Sequence, residues 1–77
     1  MNRITRLIVE NIPLREDKAI LREDLVKNVK SDYDSLGMHF PKEMFDSSLQ
    51  QLHNEQLIFV FINGLVKMTG MGRYRLR

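Results

Sequence analysis

The sequence predicts a small α+β domain, three helices followed by a C-terminal β-hairpin or short meander, with residues 1–77 forming one unit. Three observations carry this. Apolar residues recur at helical spacing from Ile4 to Leu52. The period then changes at "LIFVFI", which is rich in β-branched and aromatic residues. Asn63-Gly64 follows, the strongest two-residue hairpin signal a sequence can carry.

The first helix lies in "NRITRLIVENI", where Ile4, Leu7, Ile8 and Ile12 share a face and Pro13 ends the run. In the second, Leu21, Leu25 and Val29 repeat every four residues. Its beginning stays open, because "KAI" fits either an extra helical turn or a short strand. The stretch "SDYDSLGMHF" reads as a connection, with Ser, Asp and Gly supplying turn chemistry. Pro41 restarts a helix, since its fixed φ and missing N–H suit a first turn, and Glu43 complements the helix dipole there. Within "PKEMFDSSLQQLHNEQ", Phe45, Leu49 and Leu52 form the core face, while Glu43, Asp46, Ser47, Gln50 and Asn54 lie opposite.

A two-residue turn at Asn63-Gly64 pairs "LIFVFI" with "LVKM". One hairpin face then carries Leu57, Phe59, Phe61, Val66 and Met68, and the other Ile58, Val60, Ile62, Leu65 and Lys67. "TGMG" offers a second reversal. After it, "RYRLR" alternates as a strand would, with Tyr74 and Leu76 on one side and Arg73, Arg75 and Arg77 on the other.

Composition narrows the function classes. At 77 residues with no cysteine, the chain has neither a disulfide framework nor a thiolate metal site, so a hydrophobic core must hold the fold. A 43% hydrophobic content supports such a core and argues against disorder. No apolar run reaches the roughly 18 residues of a membrane span, and no signal-peptide pattern is present, so no membrane role and a cytoplasmic location are expected. Net charge is +2 but uneven: all ten acids fall in residues 1–66, whereas Lys67, Arg73, Arg75 and Arg77 form an acid-free end. That asymmetry points to an anionic partner.

Catalytic and cofactor motifs are lacking. Gly70-Met71-Gly72 has neither the third glycine nor the βαβ setting of a dinucleotide fingerprint. His39 and His53 stand fourteen residues apart without further ligands at metal spacing, and Ser47 and Ser48 sit mid-helix without a base. Neither an enzyme nor a cofactor is expected.

The order of three helices and a terminal hairpin, together with "FDSSLQQLHNEQLI" and "GRYRL", resembles the winged helix-turn-helix superfamily of DNA-binding domains. Ser47, Ser48, Leu49, Leu52, Leu57 and Ile58 match its third-helix pattern, with Gln56 where glycine is usual. The resemblance implies double-stranded DNA as partner, with the third helix in the major groove and the wing on the backbone or in the minor groove. Carried over by position, Lys42, Ser47, Gln50, Gln51 and Asn54 would meet bases or phosphates, and Lys67, Arg73 and Arg75 would grip the backbone. The function expected is that of a small transcriptional regulator or DNA-acting accessory factor.

Two features favour a protein-interaction module instead. Glu43 and Asp46 share the reading face, and the hairpin tip from Ile62 to Leu65 is apolar. With both hairpin faces apolar and one helical layer to cover them, Ile62 and Leu65 are expected in a homodimer interface.

Overall fold

Helix starts are set by whatever satisfies the first free backbone N–H groups. In the computed structural model, which describes residues 1–15 and 17–76, Asn2 does this for α1 (Arg3–Asn11). Its side-chain oxygen accepts from the Thr5 N–H at 2.9 Å. Ile4, Ile8 and Val9 point inward, Ile12 is buried just past the end, and Pro13 follows as a stop.

The open reading of "KAI" resolves as a strand, β1 (Ile20–Leu21), leading directly into α2 (Arg22–Ser35). No side chain caps α2. Its first N–H, on Arg22, donates to the Gly64 carbonyl of the distant hairpin loop at 2.7 Å. The helix also takes in the first half of the expected connection, as far as Ser35, and Tyr33 is buried, with its ring edge-on to Phe40 at 6.1 Å. Gly37 then takes φ 68°, and the last carbonyls are met by Met38 N–H to Tyr33 O and Gly37 N–H to Asp34 O. That is a Schellman corner.

The next helix, α3 (Lys42–Asn54), buries Phe45, Leu49 and Leu52, the face that the apolar spacing predicts. It ends in the same kind of corner: Leu57 N–H donates to Leu52 O and Gln56 N–H to His53 O. Here a glutamine, Gln56, occupies the left-handed conformation at φ 63°. Its place in the pattern where glycine is usual is therefore a backbone requirement.

Strands β2 (Ile58–Val60) and β3 (Leu65–Met68) pair antiparallel, and β1 joins the other side of β3, for a sheet order β1-β3-β2. The register corrects the expected two-residue turn. Ile58 lies opposite Met68 and Val60 opposite Val66, and Phe61 N–H bonds Leu65 O, leaving a three-residue loop of Ile62, Asn63 and Gly64. Gly64 supplies the positive φ, 90°, that such a loop needs. One residue of difference turns the returning strand over. Ile58, Val60, Val66 and Met68 thus share the core face, while Phe59, Phe61, Leu65 and Lys67 share the outer one.

A second correction concerns the C-terminal end. "TGMG" is not a hairpin turn, and residues 73–76 do not form a strand. Residues Gly70–Arg75 form a short helix, α4, with Thr69 as its N-cap accepting from Gly72 N–H at 2.9 Å. Arg73 and Arg75 fall in its last turn, where cations suit the helix dipole. Tyr74 is 87% exposed rather than inward, and Leu76 packs against the core. The expected place of Arg77 lies outside the described residues.

Three helices and the inner sheet face enclose one core that includes Ile4, Ile8, Leu25, Val29, Phe45, Leu49, Ile58 and Val66. The whole is a mixed α+β arrangement compatible with a small winged-helix-like fold. Among the described residues, no helix is long and apolar enough to cross a membrane.

Candidate nucleic-acid interface

The helical phase that buries Leu49 and Leu52 turns Ser47, Gln50 and Asn54 outward in one row, and all three are exposed. Gln50 Nε2 donates to Asn54 Oδ1 at 2.9 Å, which ties the two amides together. The pair retains the Gln50 carbonyl as acceptor and the Asn54 amide as donor. This is the donor–acceptor chemistry that can read a base edge.

Asp46 sits beside that row and is no longer a bare carboxylate. Its Oδ2 accepts from Lys42 Nζ at 3.0 Å, one helical turn back, and its Oδ1 accepts from an Arg22 Nη at 2.8 Å. The hydrogen bond from Lys42, helped by that from Arg22 and by both positive charges, holds the Asp46 carboxyl below its ordinary range against a smaller opposing effect of burial. Arg22, Lys42 and Asp46 together sum to one positive charge at the start of α3. Glu43 remains exposed and makes no ion pair among the described residues.

The remaining expected contacts are spread over other surfaces. Gln51 lies on the flank of α3 towards α1, with its Nε2 directed to Glu55 Oε2 at 3.3 Å, and lines a hollow with Met1, Asn2, Thr5 and Ser48. Lys67 is half-buried on the outer sheet face, opposite Phe59. Arg73 is half-buried and Arg75 exposed, both on α4 rather than on a wing strand. Ile62 stands fully exposed at the hairpin tip, and Leu65 is half-buried beside it.

One connection between α3 and α4 was not foreseen from the sequence. A groove of about 590 Å³ runs from His53, Asn54 and Gln56 past Phe59 to Thr69 and Met71, so the row on α3 ends at the first turn of α4. His53 builds its wall: Nδ1 accepts from Val60 N–H at 3.2 Å, and the ring meets Phe59 edge-on at 5.2 Å. The sequence signal for α4 was Thr69 as a capping residue with basic residues one to two turns on. The alternation in "RYRLR" masked it.

Close packing sets where α4 can sit. A Cβ on Gly72 would lie 1.8 Å from Leu57 O, so only glycine lets the helix approach the corner at the end of α3. The Thr69 hydroxyl lies 2.7 Å from Gln56 O and 3.0 Å from Leu57 O on the same corner. Compared with known proteins, the chain matches no family model, no curated protein and no solved structure.

Proposed function

We propose that the chain is a winged-helix DNA-binding protein, a small transcriptional regulator or DNA-acting accessory factor working in the cytoplasm. Its α3 lays Ser47, Gln50 and Asn54 along base edges in the major groove of double-stranded DNA. Lys42 and Gln51 lie at the margins of that contact, and Arg73 and Arg75 supply cationic contacts to the backbone. The observation that carries the reading is the double clamp on Asp46. With its two oxygens held by Arg22 and Lys42, the carboxylate nearest the row is compensated, and the row itself consists of uncharged hydrogen-bonding side chains.

The experiment is a salt series of binding to labelled duplex DNA, comparing wild type with Gln50→Ala and with an Arg73→Ala/Arg75→Ala double variant. Loss of phosphate contacts weakens all sequences alike and flattens the log–log salt slope by roughly one unit per contact, whereas Gln50→Ala lowers discrimination between sites at nearly constant slope. Absence of retention on duplex DNA or heparin at low salt overturns the reading.

A protein-interaction module is the second reading. It is favoured by the exposed apolar outer side of the sheet, where Phe59 and Phe61 are 47% and 41% exposed.

A further inference from the structure

The outer face of the sheet is built from the residues that the observed register turns away from the core: Phe59, Phe61, Leu65 and Lys67, with Leu21 continuing the row across β1. Phe59 and Phe61 pack on each other at 4.6 Å between ring centroids, so they form a shared surface rather than two separate stacking faces. Ile62 projects from the tip at 108% of its reference exposure. Directly beside it, Leu21, Arg22, Glu23, Val26, Asn63 and Gly64 line a hollow of about 520 Å³.

We propose that this face is a homodimer interface in which a second copy of the chain packs outer sheet to outer sheet about a two-fold axis near the hairpin tip. Ile62 of each copy enters the hollow of the other. A two-fold contact requires one patch to carry both a projection and the recess that receives it. Ile62 and the hollow adjoin on the same hairpin and meet that requirement. The fit is apolar where it must be, since Leu21 and Val26 are hydrophobic walls for the incoming isoleucine.

Charge allows the contact. The patch and its rim carry Arg22, Lys67 and Glu23, and Arg22 is ion-paired at 2.8 Å with Asp46, a carboxylate it shares with Lys42. Each copy therefore contributes one cation and one anion, Lys67 and Glu23, neither of which has an ion-pair partner among the described residues. Each face thus carries both signs, and a two-fold contact can set Lys67 of one copy against Glu23 of the other.

Area agrees as well. Exposures of 39% for Leu21, 47% for Phe59, 41% for Phe61 and 108% for Ile62 amount to about 470 Å² of apolar surface per copy for side chains of about 200 Å² each. With Leu65, Lys67 and the rim of the hollow added, each copy approaches the roughly 600 Å² per partner at the lower end of specific interfaces.

Strand-edge pairing is the rival geometry, and β2 opposes it. Val60 N–H is occupied by His53, so that edge lacks a free donor at this position. The other edge, β1, is only two residues long.

The test is sedimentation of the full chain from about 10 μM to about 1 mM, a range that brackets weak but specific association. Ile62→Ser and Met44→Ser are run alongside, with thermal melts of each. Met44 is 52% exposed on α3, outside the proposed interface, so it controls for the same loss of apolar surface. Wild type and Met44→Ser should reach twice the 9.1 kDa chain mass, whereas Ile62→Ser should raise the dissociation constant by at least about tenfold, the effect of a central anchor. Its melt should match that of wild type under dilute, monomeric conditions. A monomeric wild type at the highest concentration overturns the proposal. So does a dimer that Ile62→Ser leaves intact, or one that Met44→Ser weakens equally. If the wild type stays monomeric while single-stranded DNA protects Phe59 and Phe61 from hydroxyl-radical oxidation, the face is a nucleic-acid platform and the dimer is excluded.

Discussion

Replacing Gly72 by alanine tests the placement of the C-terminal helix directly. The added Cβ would stand 1.8 Å from Leu57 O, 2.9 Å from Leu57 C and 2.7 Å from the Met68 sulfur. The Met68 thioether can swing aside; the Leu57 backbone cannot. To restore an ordinary contact of about 3.4 Å, α4 must lift by roughly 1.5 Å, since packed interiors have no slack to absorb the overlap. Overpacking of this kind costs about 1–3 kcal/mol. Losing the Thr69 hydroxyl bond to the corner adds about 1 kcal/mol, and the better helix propensity of alanine returns about 1 kcal/mol. Because α4 is only six residues long, it can undock, which caps the loss. The net expectation is about 1–3 kcal/mol, a fall in melting temperature of roughly 4–8 °C per kcal/mol for a domain of this size. Gly70 provides the control: a Cβ there meets only the end of the Arg73 side chain, at 3.6 Å, so Gly70→Ala should be neutral or slightly stabilising. Thermal unfolding followed by circular dichroism measures both. Equal melting temperatures for the two variants would refute the close approach of α4 to the α3–β2 corner.

The helical phase of α3 predicts that Leu49→Ala costs about 2–5 kcal/mol while Gln50→Ala costs almost nothing; comparable losses in urea unfolding would mean that the outward row has been misassigned. Gln56→Gly should stabilise the protein by about 0.5–1 kcal/mol, because a non-glycine residue at φ 63° carries steric strain that glycine lacks; a lower urea midpoint for this variant counts against the corner. The lowered Asp46 carboxyl contributes stability that is fully present above its unfolded value near 3.8 and is lost as pH falls through the folded value. Melts of wild type should therefore drop more steeply between about pH 5 and about pH 2 than those of Asp46→Asn, and parallel curves would show that the clamp does not form.

Much of this architecture was legible because it is periodic. Burial of Phe45, Leu49 and Leu52 follows from spacing alone, and with it the outward direction of Gln50 and Asn54. The hairpin was legible as an element but not in its register. Asn63-Gly64 suits a two-residue turn and also a three-residue loop closed by a glycine with positive φ, and the strand period cannot choose between them. The choice is local: Gly64 N–H returns to Phe61 O, and the Asn63 side chain accepts from Leu65 N–H. For "RYRLR", five residues fit strand alternation and a single helical turn almost equally. What decides is tertiary, the contact between Gly72 and a backbone carbonyl fifteen residues earlier. The Asp46 clamp was half legible, since Lys42 lies one turn away but Arg22 arrives from another helix.

The bond from Arg22 N–H to Gly64 O has a consequence for the order in which the chain assembles. Helix α2 has no capping side chain of its own, so its first turn borrows an acceptor from a loop that does not exist until β2 and β3 have met. The middle of α2 can form early through local contacts, but its leading end and β1 are completed only with the hairpin, at the entropic cost of closing a loop of about forty residues. Helix start and hairpin tip are thus gained or lost as one cooperative unit. Native-state hydrogen exchange should give the amides at the start of α2 the same opening free energy as those of β3, in spite of their separation along the chain.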